Sequence, residues 1–391
     1  MNYSMDKLGS HIDILSGFAF KSSDFIETGI PVIKIKNVTP PSVTLEDLSF
    51  VSEEVAEQQS KFLLEPDDVL IALTGSHINQ MASVVGRVAR VKYNVPSLLN
   101  QRVGKITILN PAEANIDYIY YFLSQDSVKI ELASKAGGAA NQANISPTDI
   151  KNLIIPFPDI AVQNKIASIL LAYDNLIENN QKQIKLLEEA AKRLYKEWFI
   201  DLRFPGHEST PIHNGIPEGW ERKTVGELIG KVHRTNQIMT SDYLDDGDIP
   251  VIDQSRDFIA GYTNDSDSLV DLGTPVIVFG DHTRILKYIT FPFAKGADGT
   301  QLIISADVHM PQSLLYCSLI NVDLSNYHYA RHFKYLKAEE ILVPALDIAQ
   351  SFEKFAAPVF EQIQCLRDEN TQAAHARDRL LPKLMSGEIE V

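Results

Sequence analysis

The sequence has little cysteine and no long apolar run. Only two cysteines, Cys317 and Cys365, occur in 391 residues, and apolar neighbours predict buried thiols in a reducing compartment for both. No stretch approaches the roughly 20 apolar residues that cross a bilayer, and residues 1–17 lack the apolar run and basic flank of a secretory signal. We therefore expect a soluble, cytoplasmic protein without membrane contact.

Catalytic motifs are also scarce. No glycine-rich loop ending in Lys-Ser or Lys-Thr is present to hold a phosphate, and Thr39-Pro40-Pro41-Ser42 is a poor match to the Asn-Pro-Pro-aromatic site of amino methyltransferases. Pro66-Asp67-Asp68 begins like a nuclease carboxylate cluster, but no nearby Glu-x-Lys completes it. His328 and His332 are spaced to share a helix face, yet no third zinc ligand is evident. The sequence predicts no catalytic residue, no metal site and no bound cofactor.

Acidic residues are in excess but unevenly distributed. The formal net charge is −15, yet residues 69–112 and 324–338 contain no Asp or Glu. The basic residues in these two stretches are Arg87, Arg90, Lys92, Arg102 and Lys105 in the first, and Arg331, Lys334 and Lys337 in the second. Nucleic-acid binding depends on such local clusters rather than on net charge. The alternative is that these stretches are simply Val- and Ile-rich strands, but their occurrence in both halves favours two basic faces.

Two motifs occur once in each half of the chain. Ile30-Pro31-Val32-Ile33 returns at residues 249–252, and residues 69–71 followed by Gly75 and His77 return as residues 276–278 followed by Gly280 and His282. Short β-branched runs broken by Gly, Asn and Pro alternate with helical segments, which predicts α+β modules. Each module precedes a long helical segment. This repeat indicates a protein that reads two things a set distance apart.

Both long helical segments have an apolar seam. Its residues alternate at spacings of four and three, which average the 3.5 residues of a coiled coil. The predicted seam residues are Ile166, Leu170, Tyr173, Ile177, Asn180, Ile184, Leu187, Leu194 and Trp198 in the first segment, and Phe352, Val359, Ile363, Leu366, Asn370, Leu380 and Leu384 in the second. We expect the two helices to form an antiparallel coiled coil.

Each seam contains one asparagine. Antiparallel packing with Ile166 beside Leu384 would place Asn180 beside Asn370, and a buried asparagine pair would fix the register of the helices. The alternative is that both asparagines face solvent.

Several motifs resemble those of the specificity subunits of type I restriction enzymes. They are Gly17-Phe18-Ala19-Phe20-Lys21-Ser22 and residues 29–33 at the opening of a target recognition domain, residues 145–163 at its exit, residues 178–206 in the central conserved region, residues 217–220, 278–284 and 296–299 in a second recognition domain, and residues 379–387 in the distal conserved region. The second exit departs from the pattern, because Pro344 precedes Gln350 by six positions and Leu346 replaces a proline.

The resemblance implies an α+β protein of four parts. These are a first target recognition domain at residues 1–158, a central conserved helix at 159–204, a second recognition domain at 205–346 and a C-terminal conserved helix at 347–391. Each recognition domain would read half of a split, asymmetric site on double-stranded DNA, and the coiled coil would set the gap between the halves.

The resemblance also implies partners that carry out the chemistry. Two methyltransferase (M) subunits, which carry S-adenosylmethionine and methylate adenine, would dock on the helices, and restriction (R) subunits with motor and nuclease activity would join them. Two other classes stay open. One is a self-standing enzyme, and the other is a non-catalytic scaffold that assembles partners through its coiled coil without reading DNA.

Candidate DNA contacts follow from residue type and loop position, because Lys and Arg bind phosphates while Arg, Asn and Gln read base edges. In the first module they are Lys34, Lys36, Asn37, Ser76, His77, Arg87, Arg90, Lys92, Arg102, Asn141, Gln142 and Asn144. In the second they are Asp253, Gln254, Ser255, Arg256, Asp281, His282, Thr283, Arg284, Arg331, Lys334 and Lys337. The alternative for each is a solvated loop or a structural turn, such as one that Asp281 caps and Arg284 pairs with.

Overall fold

The computed structural model describes residues 3–137, 142–297, 299–327 and 331–391. The chain divides into two units, of which the first is Met1–Ile177 with Thr371–Val391 and the second is Glu178–Asn370. Each unit contains one α+β domain and a part of each of two long helices.

The domain of the first unit is built from short strands and four short helices. Its strands are β1 Ser4–Lys7, β2 Ile12–Ser16, β3 Phe25–Ile26, β4 Ile30–Ile33, β5 Val38–Thr39, β6 Ser42–Val43, β7 Ser49–Val51, β8 Leu63–Leu64, β9 Val69–Ala72, β10 Thr74–Gly75, β11 Val88–Arg90, β12 Ser97–Leu99, β13 Val103–Ile108, β14 Ala143–Asn144 and β15 Ile154–Phe157. Its helices are α1 Glu53–Gln58, α2 Ile116–Ser124, α3 Asp126–Lys135 and α4 Pro147–Lys151, followed by the first long helix, α5 Ile160–Tyr195.

The central strand of this domain is covered on both faces. It is β9, which lies in a six-stranded sheet of order β2-β13-β9-β11-β6-β5. Val69 and Ile71 belong to the apolar core that includes α2, whereas Leu70 and Ala72 belong to the core shared with the other sheet, β3-β7-β4-β12-β8. Side chains alternate across a strand, so a strand buried on both faces needs the continuous apolar run seen here.

The second unit repeats this plan with fewer strands. They are β16 Ile212–His213, β17 Ile216–Pro217, β18 Glu221–Thr224, β19 Ile249–Ile252, β20 Gly261–Thr263, β21 Leu269–Val270, β22 Val276–Gly280, β23 Leu286–Ile289, β24 Phe293–Lys295, β25 Thr300–Ile303 and β26 Glu340–Val343. The helices are α6 Val225–Leu228, α7 Gln312–Ile320, α8 Phe333–Ala338 and the second long helix, α9 Leu346–Ser386. Strand β22 is the counterpart of β9, with Ile277 and Phe279 in one core and Val276 and Val278 in another.

Strand pairing confirms the repeat predicted from sequence. The two Ile-Pro-Val-Ile strands, β4 and β19, each lie parallel to one neighbour, β12 or β24, which in turn lies antiparallel to β8 or β21. An early strand of each domain also pairs with the strand that precedes a long helix, as β1 with β15 before α5 and β18 with β26 before α9. The chain therefore contains two α+β domains of related topology.

The long helices pack antiparallel within each unit, as predicted. In the first unit, Ile166 and Leu170 of α5 share an apolar core with Leu381 and Leu384 of α9. In the second unit, the later residues Ala191 and Tyr195 of α5 share a core with Phe352 and Ala356, which come early in α9. All predicted seam residues are buried or half-buried. After Tyr195 the first helix ends in a π-helical turn at Lys196–Ile200.

Ion pairs follow the same antiparallel order. Asp174 accepts a hydrogen bond of 2.6 Å from Arg377 in the first unit, and Glu188 accepts one of 3.1 Å from Arg367 in the second. Asp174 also accepts a 2.6 Å hydrogen bond from the hydroxyl of Tyr121 in α2. Asp174 therefore joins α5 to α9 and to the first domain.

The asparagine pair that we expected to fix the register, Asn180 with Asn370, is not joined through the Asn180 amide, and burial of Asn180 also excludes the alternative that both asparagines face solvent. Asn180 is buried, but its Nδ2 donates to Glu369 Oε2 at 2.7 Å, while Oδ1 of half-buried Asn370 has no hydrogen-bond partner. A carboxylate is a stronger acceptor than an amide, so the neighbouring residue takes the donor.

Both cysteines are free thiols, Cys317 buried as predicted and Cys365 exposed against prediction. Cys365 lies between Ile363 and Leu366, which take the buried positions of α9 and leave it on the outer face. Within the described residues, no helix is long and apolar enough to span a membrane.

Candidate nucleic-acid interface

Three loops of the first unit meet at one edge of its sheets, here called the first loop edge: residues 34–37, 74–77 and 100–102. Parallel strands β4 and β12 end side by side, and Asn100 N donates to Ile33 O at 3.1 Å. Strand β9 ends opposite the start of β13, where Leu73 N donates to Arg102 O at 2.9 Å. Residues 100–102 thus connect the ends of β4 and β9.

The exposed side chains of the first loop edge include Lys36 and Arg102, and Ser76 and His77 are half-buried beside them. The predicted residues Gln142 and Asn144 reach the same edge, because Asn144 Oδ1 accepts a 2.8 Å hydrogen bond from Thr74 Oγ1. Gln142 is exposed. Asn141 lies outside the described residues. This edge therefore presents cations together with hydroxyl, imidazole and amide groups.

Two predicted contacts in the first loop hold the loop itself. Asn37 is buried, and its side chain accepts from Lys34 N at 3.1 Å and donates to Glu46 O at 2.8 Å. Lys34 Nζ donates to Ser49 Oγ at 2.8 Å and lies 4.1 Å from the ring centre of Phe25. Burial, with a smaller effect of nearby Lys36, lowers the pKa of Lys34. Both side chains are committed within the domain.

The predicted basic face of the first module is not a single surface. Strand β11 runs antiparallel to β9, so Arg87 lies beside Ala72 at the end of β9 whereas Arg90 lies opposite Val69 at its start. Arg87 is therefore at the first loop edge, and Arg90 is at the opposite end of the sheet. Exposed Lys92 follows Arg90 and donates to Asp67 at 2.8 Å.

Burial removes Arg90 from any surface contact. Its side chain pairs with Asp117, and its guanidinium carbon lies 4.0 Å from the ring centre of Tyr120. Nε and Nη2 are buried without a hydrogen-bond partner. The sequence prediction of a phosphate contact at Arg90 fails on this geometry, because a phosphate cannot reach a guanidinium that is buried among aromatic rings.

The equivalent loops of the second unit form the second loop edge: residues 253–256, 281–284, 296–297 and 299. Parallel strands β19 and β24 end together, and Gly296 N donates to Ile252 O at 2.9 Å. Asp281 N donates to Gly299 O at 2.7 Å. Gly299 has a φ of +85°, and a Cβ there would lie 2.5 Å from the His282 ring, so the close approach requires glycine.

Most exposed groups of the second loop edge come from residues 281–284 and Arg256. His282, Thr283, Arg284 and Arg256 are exposed. Half-buried Gln254 fastens the loops together, because its Oε1 accepts from His282 N at 3.1 Å and its carbonyl accepts from Thr283 Oγ1 at 2.7 Å.

The two aspartates of this edge hold loop structure. Asp281 is buried and accepts a 2.7 Å hydrogen bond from Phe333 N at the start of α8. Asp253, also buried, accepts from Ser255 N at 2.8 Å and from the Tyr243 hydroxyl at 3.3 Å. Asp281 thus has the structural role weighed for it from sequence, but Arg284 donates to Tyr327 O at 3.1 Å instead of pairing with it.

The basic residues around α8 lie beside the second loop edge. Arg331, Lys334 and Lys337 are exposed, and the bond from Phe333 N to Asp281 places the start of this segment against residues 281–284. His332 is buried, with its ring nitrogens 2.9 Å from Asp281 O and 3.2 Å from Tyr327 O. Those contacts hold the loop, and His328 lies outside the described residues.

Sequence reasoning missed one basic segment that begins at the far end of β25, where Gly230 N donates to Ile304 O, and runs to the second loop edge. Residues 228–241 contain no Asp or Glu, and Lys231, His233 and Arg234 are exposed in a stretch without regular secondary structure. Ile238 N donates to the carbonyl of Lys295, which immediately precedes residues 296–297. The absence of acidic residues, already used for residues 69–112, was the signal that could have found it.

Sequence reasoning also missed Lys287. Its side chain is only 5% exposed, and Nζ donates to Asp257 O and lies 3.8 Å from Asp253 Oδ1. Burial lowers the pKa of Lys287, against an opposing effect of Asp253 and Asp257. A lysine in the apolar strand β23 was the available signal. Lys287 therefore holds residues 253–257 against strand β23.

The described part of the chain contains no cluster of three or more His, Cys, Asp or Glu side chains able to hold a metal ion. Asp67 and Asp68, which begin like a nuclease motif, form separate ion pairs with Lys92 at 2.8 Å and Lys105 at 2.6 Å.

Comparisons with known proteins agree with this architecture. Residues 2–189 match the family described as Type I restriction modification DNA specificity domain. A putative type I restriction enzyme MjaX specificity subunit from Methanocaldococcus jannaschii is 26% identical over 388 residues, covering 93% of this chain and 88% of the relative. The MjaIX specificity subunit from the same organism is 28% identical over 301 residues, covering 70% of this chain and 69% of the relative. The S subunit of a type I restriction-modification system from M. genitalium has the same fold, with a TM-score of 0.62, 17% identity and coverage of 98% and 96%.

Proposed function

Since the chain belongs to the specificity subunits of type I restriction-modification systems, we propose that it selects the DNA sequence on which catalytic partners act. It reads a split, asymmetric site on double-stranded DNA, with one half read by each α+β domain. The reading surfaces are the first and second loop edges. We assign no catalytic residue and no cofactor to this chain.

One observation carries the proposal: equivalent strands of the two domains end in loops of different chemistry. The same Ile-Pro-Val-Ile strand precedes residues 34–37, Lys-Ile-Lys-Asn, in one domain and residues 253–256, Asp-Gln-Ser-Arg, in the other. Strands β9 and β22 likewise precede two different polar loops. A shared scaffold with different loop residues is what reading two unlike half-sites requires.

Local charge supports DNA as the ligand. Although the chain carries a net charge of −15, the first loop edge exposes Lys36 and Arg102. The second exposes Arg256 and Arg284, with further cations in residues 331–337, whose start is bonded to Asp281 of that edge. Phosphate contacts by such residues supply affinity that is independent of sequence, while base-edge contacts supply specificity.

The long helices act in this proposal as the spacer between half-sites. Helices α5 and α9 each run from one unit into the other. Each domain is attached to a long helix within its own unit: Tyr121 donates to Asp174 of α5 in the first, and Ser313 donates to Glu353 of α9 in the second. Arg377, which is bonded to Asp174, and Glu353 both lie on α9. Because a helix advances about 1.5 Å per residue, the number of α9 residues between them would set the spacer length.

The partners are two methyltransferase (M) subunits that bind S-adenosylmethionine and methylate adenine, together with restriction (R) subunits. We place the M subunits on the long helices. Leu186 of α5 is 64% exposed and Phe355 of α9 is 43% exposed, so apolar side chains are available on those helices for docking.

The test is to express this chain with its methyltransferase partner and to sequence the host DNA for N6-methyladenine. We expect a methylated, split and asymmetric motif that appears only when this chain is present. A complex that assembles and methylates but gains no new motif would refute sequence reading and favour a scaffold that joins partners through its helices.

A further inference from the structure

Arg87 lies between two loops of the first loop edge. It immediately precedes β11, and its carbonyl accepts a 2.9 Å hydrogen bond from Ala72 N, at the end of β9. Its guanidinium then donates in two directions: Nη2 to Ile35 O at 3.3 Å and Nη1 to Ala82 O at 2.8 Å. The first acceptor belongs to the loop after β4, and the second belongs to the turn at Met81–Ser83.

The turn at Met81–Ser83 is itself fastened to the loop that carries Ser76 and His77. Ser76 N donates to Ser83 O at 2.9 Å, and Ser83 Oγ donates to Ser76 Oγ at 2.9 Å. Arg87 is therefore the side chain that connects the loop of Lys34 and Lys36 with the loop of Ser76 and His77. A displacement of either loop would break a hydrogen bond to its guanidinium.

The Arg87 guanidinium uses one N–H of each terminal nitrogen to hold the two loops. Arg87 is half-buried, its Nε is buried without a partner, and both terminal nitrogens are bonded to carbonyl groups. Arg102, at the same edge, is exposed and makes no side-chain hydrogen bond or ion pair with the described residues. The two arginines thus differ in the role that their surroundings allow.

The second domain connects the corresponding loops by another route. There Gln254, in the loop after β19, accepts from His282 N at 3.1 Å, and its carbonyl accepts from Thr283 Oγ1 at 2.7 Å. The joined loops again follow the Ile-Pro-Val-Ile strand and the central strand, but the connecting residue comes from a different element. A fixed distance between these two loops is therefore common to both domains, although the residues that fix it are not.

We propose that Arg87 is a positioning residue for sequence reading: it fixes the distance between the two base-reading loops of the first domain and does not bind DNA phosphate. This inference rests on the proposed function. It assigns to Arg87 the selectivity of the first half-site and leaves the second half-site to other residues. Lysine cannot replace it, because an ammonium lacks the planar fork that reaches two carbonyls in different directions.

The test uses the complex with the methyltransferase subunits and four variants of this chain. Arg87→Lys and Arg87→Gln probe the link, while Arg102→Lys and Arg102→Gln are matched controls at an exposed arginine of the same edge. The DNA probes are duplexes of the motif that the wild-type complex methylates, and duplexes with one base pair changed in either half. Affinity for each duplex is measured at several salt concentrations.

Both Arg87 variants should lose about tenfold in discrimination against changes in the first half-site, within the range of about 1–3 kcal/mol that one mismatched pair costs. Discrimination in the second half-site and the salt dependence should stay at the wild-type level. Arg102→Gln should instead weaken binding to all duplexes and reduce the salt slope by about one unit, and Arg102→Lys should restore both. An unchanged second half-site shows that the Arg87 variants are folded.

Three results would overturn the inference. Arg87→Lys could behave as wild type while Arg87→Gln reduces the salt slope, which is the behaviour of a phosphate contact. The second result would be that neither Arg87 variant changes discrimination in the first half-site. The third would be an equal loss of discrimination in both half-sites, which indicates a general effect on folding. If the wild-type complex methylates no split motif, the proposed function itself fails, and that outcome is distinct from all three.

Discussion

The hydrogen bonds of Asp174 predict how strongly the first domain is held by the long helices. The Asp174 and Arg377 side chains are 19% and 21% exposed, so their ion pair is largely removed from water. Asp174→Ala leaves the Tyr121 hydroxyl without its acceptor and removes one partner of Arg377. Breaking a fully buried pair costs about 3–5 kcal/mol. Because Asp378 remains 2.8 Å from Arg377 and a fifth of each side chain is solvated, we expect about 2–3 kcal/mol.

The two tryptophans allow this loss to be assigned to one unit. Trp198 and Trp220 both belong to the second unit, so tryptophan fluorescence reports that unit during urea unfolding, whereas far-UV circular dichroism reports the whole chain. With a slope of about 1–3 kcal/mol per molar urea, the dichroism midpoint should fall by about 1 M. The fluorescence midpoint should move less, so that the two transitions separate.

A double-mutant cycle tests the pairing itself. Asp174→Ala and Arg377→Met together should cost less than the sum of the single changes, because no buried charge is left alone; we expect a coupling of about 1–2 kcal/mol. Glu178→Gln, which breaks the exposed pair with Lys182, is the control and should cost less than about 0.5 kcal/mol. A loss below about 0.5 kcal/mol for Asp174→Ala, or strictly additive effects, would refute the role given to Asp174.

Three further predictions concern single side chains. Burial raises the pKa of Glu353 above its usual 4.5, despite hydrogen bonds from Ser313, so the protonated carboxyl favours the folded state below about pH 4.5 and this contribution is lost as pH rises through the folded pKa. Glu353→Gln should therefore raise the melting temperature at neutral pH but not below about pH 4.5. An equal change in melting temperature at both pH values would contradict this. Burial also raises the pKa of Cys317 to about 12, whereas Cys365 is exposed, so mass spectrometry after maleimide treatment should find one label on the native chain, at Cys365, and two after denaturation. Asn370→Leu should stabilise the helix pair in urea unfolding, because the buried Oδ1 of Asn370 has no hydrogen-bond partner; a loss of stability would indicate that this atom is solvated.

Periodicity explains which helical features could be predicted. The four-three spacing of apolar residues is a local property of the chain, and it placed residues such as Ile166, Ile184 and Leu366 in the seam, where all are buried or half-buried. The partner of Asn180 could not be read in the same way. Its acceptor is Glu369, a residue outside the apolar pattern, and only the packed geometry decides which of two neighbouring side chains reaches the amide.

The candidate interface shows the same limit. Its loops were predictable, because polar residues follow β-branched strands at Lys36, Ser76 and His282. Their grouping was not, since residues 34–37 and 74–77 are about 40 positions apart and meet only through strand pairing. The missed segment at residues 228–241 shows that an absence of acidic residues is informative only when it is sought along the whole chain.

By itself, the sequence determined the two-domain repeat, the α+β class and the two long helices, because each of these is recorded in local spacing or in a repeated motif. Tertiary structure alone decided which cations can reach a ligand. Arg87 and Arg90 are three residues apart and chemically identical, yet antiparallel pairing with β9 places one between two loops and buries the other against Asp117 and Tyr120. Burial and hydrogen bonding depend on neighbours that are distant along the chain, and those neighbours assign the role of each arginine.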